Sequence, residues 1–158
     1  MGLLQPHVRY GGGTGVARLS QFGKAITIYS LAHATLALKA ASETERPVLL
    51  LSAPFAAGAA GPGWFGSVVD QATSAFPETD VSAMLDCGDL PGYAMAALRQ
   101  GLKNIRFDGD TFEKISDIAQ QLGATIAAER PDSLDLYALE LDGKRLEIAC
   151  RDWLLDEV

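Results

Sequence analysis

Val48–Ser52 reads VLLLS, an unbroken apolar run of the kind that forms a strand buried on both faces of a parallel sheet. On both sides of it, short apolar runs alternate with segments of helical spacing. The runs predicted as strands are Ala25–Ser30, Val48–Ser52, Val81–Cys87, Asn104–Asp108 and Ala124–Glu129. Because strands and helices alternate, the sequence predicts an α/β domain with a mainly parallel sheet of about five strands.

Helix signals fill the segments between these strands. Leu31–Ser42 has small and apolar residues at helical spacing, and another helix is predicted near Trp64–Phe76. Asp89 and Asp110 are predicted to cap the next two helices. Before the first strand, residues 1–22 are predicted to form an irregular arm, and residues 23–158 a single domain.

The last part of the chain, residues 133–158, allows two interpretations. Leu136–Leu141 and Lys144–Ala149 alternate in polarity and flank Asp142-Gly143, a dipeptide that favours a tight hairpin turn. A helix capped by Ser133 is the alternative, because Leu134, Tyr137, Ala138 and Leu141 would then share one face. The hairpin is the preferred prediction, and both interpretations stay open at this point.

Composition excludes several classes of function. The chain has 158 residues, the size of one domain, and its 13 basic and 20 acidic residues give a net charge of −7. Nucleic-acid binding needs a basic surface, which this composition does not indicate. The uncharged stretch 47–69 contains too many prolines and glycines for a membrane span. With no secretory signal pattern and two widely spaced cysteines, the sequence predicts a cytoplasmic protein.

Candidate functional residues lie where the predicted strands end, since loops at the carboxyl ends of parallel strands form the functional face. Asp86, Asp108 and Glu129 end the third, fourth and fifth strands. Neighbouring strands lie about 4.8 Å apart, so these carboxylates are predicted to approach one another and to bind a divalent cation or a polar ligand. His33 follows the first predicted strand and Ser52 ends the second, and both are candidate ligand-binding residues.

Two further observations bear on this acidic group. Cys87 follows Asp86 directly and is a candidate metal ligand at the edge of the site. Arg106 and Arg130 offer an alternative outcome, in which a guanidinium folds over the acids and neutralises them. Strand alternation argues against this for Arg106, because it lies about 6–7 Å behind Asp108 along the same strand.

The span from Gly23 to Glu129 resembles the first five βα units of class II, metal-dependent fructose-bisphosphate and tagatose-bisphosphate aldolases. The similar segments are residues 47–52 (PVLLLS), 85–89 (LDCGD), 97–109 (ALRQGLKNIRFDG) and 124–129 (ATIAAE). The resemblance covers roughly two thirds of the chain but only about half of such an enzyme. It implies a truncated TIM barrel, with an open doubly wound sheet as the alternative.

The resemblance also implies roles for single residues. Asp86 matches the family's catalytic acid/base, and Cys87 stands where the family has a metal-ligand histidine. Asp108 matches a strand-end acid and Ser52 a serine near the substrate. Glu129 matches the second Glu of a Glu-x-Glu pair whose first position is alanine here. These residues imply a bound divalent cation, zinc or magnesium.

The family's downstream histidine ligands and phosphate-binding loops have no counterpart in this sequence. We therefore expect a degenerate aldolase-like domain that binds a small metabolite or a divalent cation at the strand ends, without aldol cleavage. One alternative is a metal-dependent lyase or isomerase with Asp86 as acid/base, and another is a structural or interaction module. Because an unclosed sheet leaves strand edges free, we also expect a homodimer.

Overall fold

The computed structural model describes residues 8–9 and 15–157. Strands β1 to β8 are Val8–Arg9, Gly15–Val16, Lys24–Ile28, Val48–Ser52, Val81–Asp86, Asn104–Arg106, Thr125–Ala127 and Ser133–Asp135. Helices α1 to α7 are Leu31–Thr44, Ala56–Ala59, Pro62–Ser74, Pro91–Arg99, Phe112–Gln121, Leu136–Leu141 and Leu146–Leu155. The predicted strands are confirmed as β3 to β7, with small differences at their ends.

The strands form one open, parallel sheet in the order β8-β3-β4-β5-β6-β7. Two short strands complete it, since β2 pairs with β7 at one end and β1 pairs with the first residues of β5. The predicted α/β class with repeated βα units is confirmed. The sheet does not close into a barrel, which agrees with the open sheet that we gave as the alternative. The strands at the two ends of the sheet are β2 and β8. The homodimer that we expected from free strand edges stays a prediction.

Helices cover one face of this sheet. The order of β3 to β7 follows the chain, and right-handed crossovers between successive neighbours place every connecting helix on the same side. Along β4, Val48 and Leu50 join the large core beneath the helices, while Leu49 and Leu51 belong to a smaller cluster on the opposite face. The open sheet is therefore wound on one side and not on both, because its strand order never reverses.

The sheet curls towards its helix-free face. Strands β7 and β8, which lie five strand spacings apart in the sheet, are joined by residues 128–132 alone. That link spans at most about 21 Å when extended. Five strand spacings in a flat sheet would measure about 24 Å. The ends must therefore approach each other, and the link crosses the helix-free face near the carboxyl ends of the strands.

The helix-free face is partly covered by the segment that precedes β3. Ala17, Leu19 and Phe22 pack against an apolar cluster on this face, which consists of Ala25, Leu49, Leu51, Met84 and Ala127. Residues 1–7 and 10–14 of the predicted arm lie outside the described residues. The rest of the arm contributes β1, β2 and a 3₁₀ turn at Leu19–Gln21.

The predicted hairpin between Leu136 and Ala149 is wrong, because these residues form α6 and the start of α7. Gly143 adopts a φ of +68° after α6, so the Asp142-Gly143 pair ends a helix instead of turning a hairpin. The cap is Asp135, whose Oδ1 accepts a hydrogen bond from the Ala138 N–H at 3.0 Å. Ser133 belongs to β8. Helical spacing prevails because α7 buries Cys150 and Leu154 in the main core.

Two smaller predictions also change. Asp89 and Asp110 cap no helix, since α4 begins after Leu90 and α5 after Thr111, both without a side-chain cap. The uncharged stretch 47–69 folds into β4, α2 and the first part of α3. Within the described part of the chain, every helix is too short or too polar to cross a membrane.

Candidate functional site

The strand-end acid that matters most is Asp86, the last residue of β5. Alternation places its side chain on the helix-free face, two residues beyond Met84. The residue is only 1% exposed. A carboxylate at this depth requires positive charge and hydrogen-bond donors around it.

Asp86 obtains these donors from two arginines and its own loop. Its Oδ2 accepts from Arg130 Nη1 at 2.9 Å, and its Oδ1 accepts from Arg106 Nη1 at 3.4 Å. The Gly88 N–H donates to Oδ1 at 2.9 Å, and the Asp86 N–H donates to Ser52 Oγ at the same distance. Both carboxylate oxygens are therefore engaged, and Asp86 organises the loop that follows β5.

Arg130 comes from the link that crosses the helix-free face. Its Nη2 donates to Thr27 Oγ1 at 3.0 Å and to the Ser52 carbonyl at 2.8 Å. Thr27 Oγ1 in turn lies 2.6 Å from Ser133 Oγ, so the same network reaches β8. One guanidinium thus connects the ends of β3, β4 and β5, and its side chain stays 23% exposed.

Arg106 approaches Asp86 from the neighbouring strand, where the two residues are directly paired in register. Its Nε donates to the Ala128 carbonyl at 3.0 Å, and its Nη2 donates to Asp108 Oδ2 at 2.7 Å. We expected the spacing along β6 to keep Arg106 from the acids, and that was wrong. The side chain is long enough to reach Asp86 sideways and Asp108 ahead of it.

The structure brings together only some of the predicted site residues. The hydrogen-bonded group around Arg106 and Arg130, here called the arginine network, includes Asp86, Ser52 and Asp108. Asp108 is its exposed member, with 44% of its side chain accessible. Glu129 is exposed on the link beside Arg130. Cys87 faces the opposite side of β5, where it is buried in the main core. Strand alternation already implied that adjacent residues 86 and 87 face opposite sides.

His33 lies in a second polar group at the end of β3. The Tyr29 N–H donates to His33 Nδ1 at 3.1 Å, so the neutral ring carries its proton on Nε2, 3.4 Å from Glu140 Oε2. The Tyr29 hydroxyl donates to Asp135 Oδ2 at 2.8 Å. Burial, followed by the bond to Asp135, raises the pKa of Tyr29 to about 12. This group attaches α6 to the sheet.

The arginine network does not resemble a metal centre. Nowhere among the described residues do three or more His, Cys, Asp and Glu side chains converge as metal ligands would. Two guanidiniums occupy the space around Asp86 where the acidic interpretation expected a cation. From the sequence, Arg106 and Arg130 are predicted only as groups that could neutralise the acids. The pairing of β5 with β6 places Arg106 directly beside Asp86, and this neighbour could have been predicted from the strand order.

The reactivity of the Cys87 thiol tests whether this side chain is buried. Burial, and then the charge of Asp86, raise its pKa to about 12, and burial raises that of Cys150 to about 11. We expect a thiol reagent at about pH 8 to modify neither cysteine of the native protein. Both should react after denaturation in guanidinium chloride. Rapid reaction of one native thiol would contradict this placement.

Comparison with protein-family models finds no match, and comparison with curated proteins finds none either. The aldolase resemblance therefore stays a prediction, carried by the short segments quoted above.

Proposed function

We propose that this chain binds a small anionic metabolite at the carboxyl ends of its strands and does not cleave it by aldol chemistry. The observation that carries this proposal is the pair of arginines that one buried carboxylate holds at the helix-free face. Arginine guanidiniums suit phosphate and carboxylate groups because their N–H groups form a rigid fork.

Each guanidinium keeps donors for such a ligand. Arginine has five N–H groups. Arg130 uses three of them on Asp86, Thr27 and the Ser52 carbonyl. Arg106 likewise uses three, on Ala128, Asp86 and Asp108. The two side chains are 18% and 23% exposed, so both guanidinium-bearing side chains are partly accessible from solvent.

Charge also favours an anion over the predicted cation. Asp86 with Arg106 and Arg130 carries one more positive than negative charge, and among the described residues only the exposed Asp108 forms a further ion pair with this group. A divalent cation at Asp86 would be repelled by the positive charges of the two guanidiniums. The lyase or isomerase alternative would need Asp86 to accept a proton, although three donors already occupy its oxygens.

The test combines binding with activity. We expect glycerol 3-phosphate to raise the melting temperature of the protein, and magnesium chloride at equal ionic strength not to do so. Arg130→Met should abolish the shift, because it removes one of the two guanidiniums. With added zinc, the protein is expected not to cleave fructose 1,6-bisphosphate. Turnover that Asp86→Asn abolishes would contradict the proposal, as would stabilisation by magnesium alone.

A further inference from the structure

Asp108 is the exposed acid of the arginine network, and its position is set by its backbone. The Asp108 N–H donates to the Gly88 carbonyl at 3.0 Å, which continues the pairing between β5 and β6. The next residue, Gly109, packs directly against the Asp89 carbonyl. The backbone of Asp108 is thus held in front of Arg106 whether or not the ion pair forms, and its exposed side chain can turn towards Arg106 or away from it.

The bond between Asp108 and Arg106 differs from the bonds to Asp86. It joins one carboxylate oxygen to one guanidinium nitrogen, at 2.7 Å, and the acid is 44% exposed. Ion pairs with an exposed partner contribute only about 0–1 kcal/mol, whereas Asp86 is almost fully buried between its two partners. Asp108 is therefore the member of the network that a ligand can displace at little cost.

We propose that the Asp108 carboxylate occupies the position on Arg106 that an oxygen of a bound anion would take. Asp108 thus competes with the ligand for Arg106. This inference rests on the proposed function. A phosphate group offers oxygens to Arg106 and Arg130 at once, while Asp108 reaches Arg106 alone. The ligand class is accordingly a phosphate monoester or a related dianion, whose greater charge helps it to replace a single carboxylate.

Titration calorimetry with inorganic phosphate at constant ionic strength tests this competition. Asp108→Asn is expected to bind phosphate about tenfold more tightly than the wild type, because the competing charge is gone and the side-chain size is kept. The matched control is Asp110→Asn, which removes an exposed acid two residues further along the same loop. Arg106 makes its side-chain hydrogen bonds to Ala128, Asp86 and Asp108 and none to Asp110, so replacing Asp110 should change affinity by less than about twofold.

The possible results separate the two proposals. Equal phosphate affinity in the wild type and Asp108→Asn would overturn the competition and leave the anion site standing. An equal gain in both Asn variants would also overturn it, since the effect would then be general electrostatics. Absence of phosphate binding in all three proteins would refute the proposed function itself. Magnesium or zinc binding that Asp108→Asn abolishes would restore the metal interpretation.

Discussion

Replacing Asp86 with alanine is expected to lower the free energy of unfolding by about 3–4 kcal/mol. The substitution leaves Arg106 and Arg130 without the carboxylate that both contact, and it removes the acceptor of the Gly88 N–H. The expected loss lies in the lower part of the range for broken buried ion pairs, because the guanidiniums are 18% and 23% exposed and water partly solvates them. Urea denaturation measures the change.

The matched control is Asp108→Ala, which removes the exposed acid of the same network. We expect this variant to lose less than about 1 kcal/mol. Should Asp86→Ala fail to fold, Asp86→Asn keeps the side-chain shape and is expected to lose about 2 kcal/mol with the charge. Adding Arg130→Met to Asp86→Ala should recover part of the loss, since one unpaired charge disappears. A loss below about 1 kcal/mol for Asp86→Ala would show that the network does not stabilise the fold.

Most of the core strands could be predicted from sequence because a short run of apolar residues indicates a buried strand without reference to distant parts of the chain. Val48–Ser52 is the clearest case, since all five residues are buried as an unbroken run suggests. The hairpin at 136–149 failed for a physical reason. Its polarity pattern fits a strand as well as a short helix, and only packing of α7 against α1 decides between them.

The candidate site was predictable only in its location. That Asp86 and Asp108 come together at one edge follows from the parallel order of the strands. What surrounds Asp86 depends on Arg130, which reaches it because β8 pairs with β3 and draws the link across the helix-free face. No local pattern in the sequence encodes that crossing, so the contact between Arg130 and Asp86 could not be predicted.

The same crossing explains how this fold supports a site without a closed barrel. In the open sheet, no strand of the described residues lies opposite the helix-free face to fill it. Residues 17–22 cover it beneath the site, and the link at 128–132 covers it beside the site. The arginine network attaches the link at 128–132 to the ends of β3, β4 and β5. Its polar groups are therefore structural, and their remaining donors are the groups that the proposed anion would contact.

The loops that carry Asp86 and Asp108 meet at Gly109, and Gly109→Ala is expected to destabilise the protein by about 2–3 kcal/mol. A Cβ at this position would lie 2.5 Å from the Asp89 carbonyl oxygen and 2.6 Å from the Phe107 ring. The Phe107 side chain is fully buried and cannot turn away, and the oxygen belongs to the backbone. The two loops must therefore separate, which also moves Asp108 from Arg106.

Gly92→Ala is the matched control, because a Cβ at Gly92 would meet no atom within 4 Å. Gly92 lies in the first turn of α4 with a backbone that alanine can adopt, and replacing glycine by alanine at such a position stabilises a protein by about 0.4–1 kcal/mol, because the unfolded chain has less freedom to lose. Denaturation midpoints of the two variants should therefore shift in opposite directions. Equal stability of both variants with the wild type would show that the close contact between the two loops does not hold the site together.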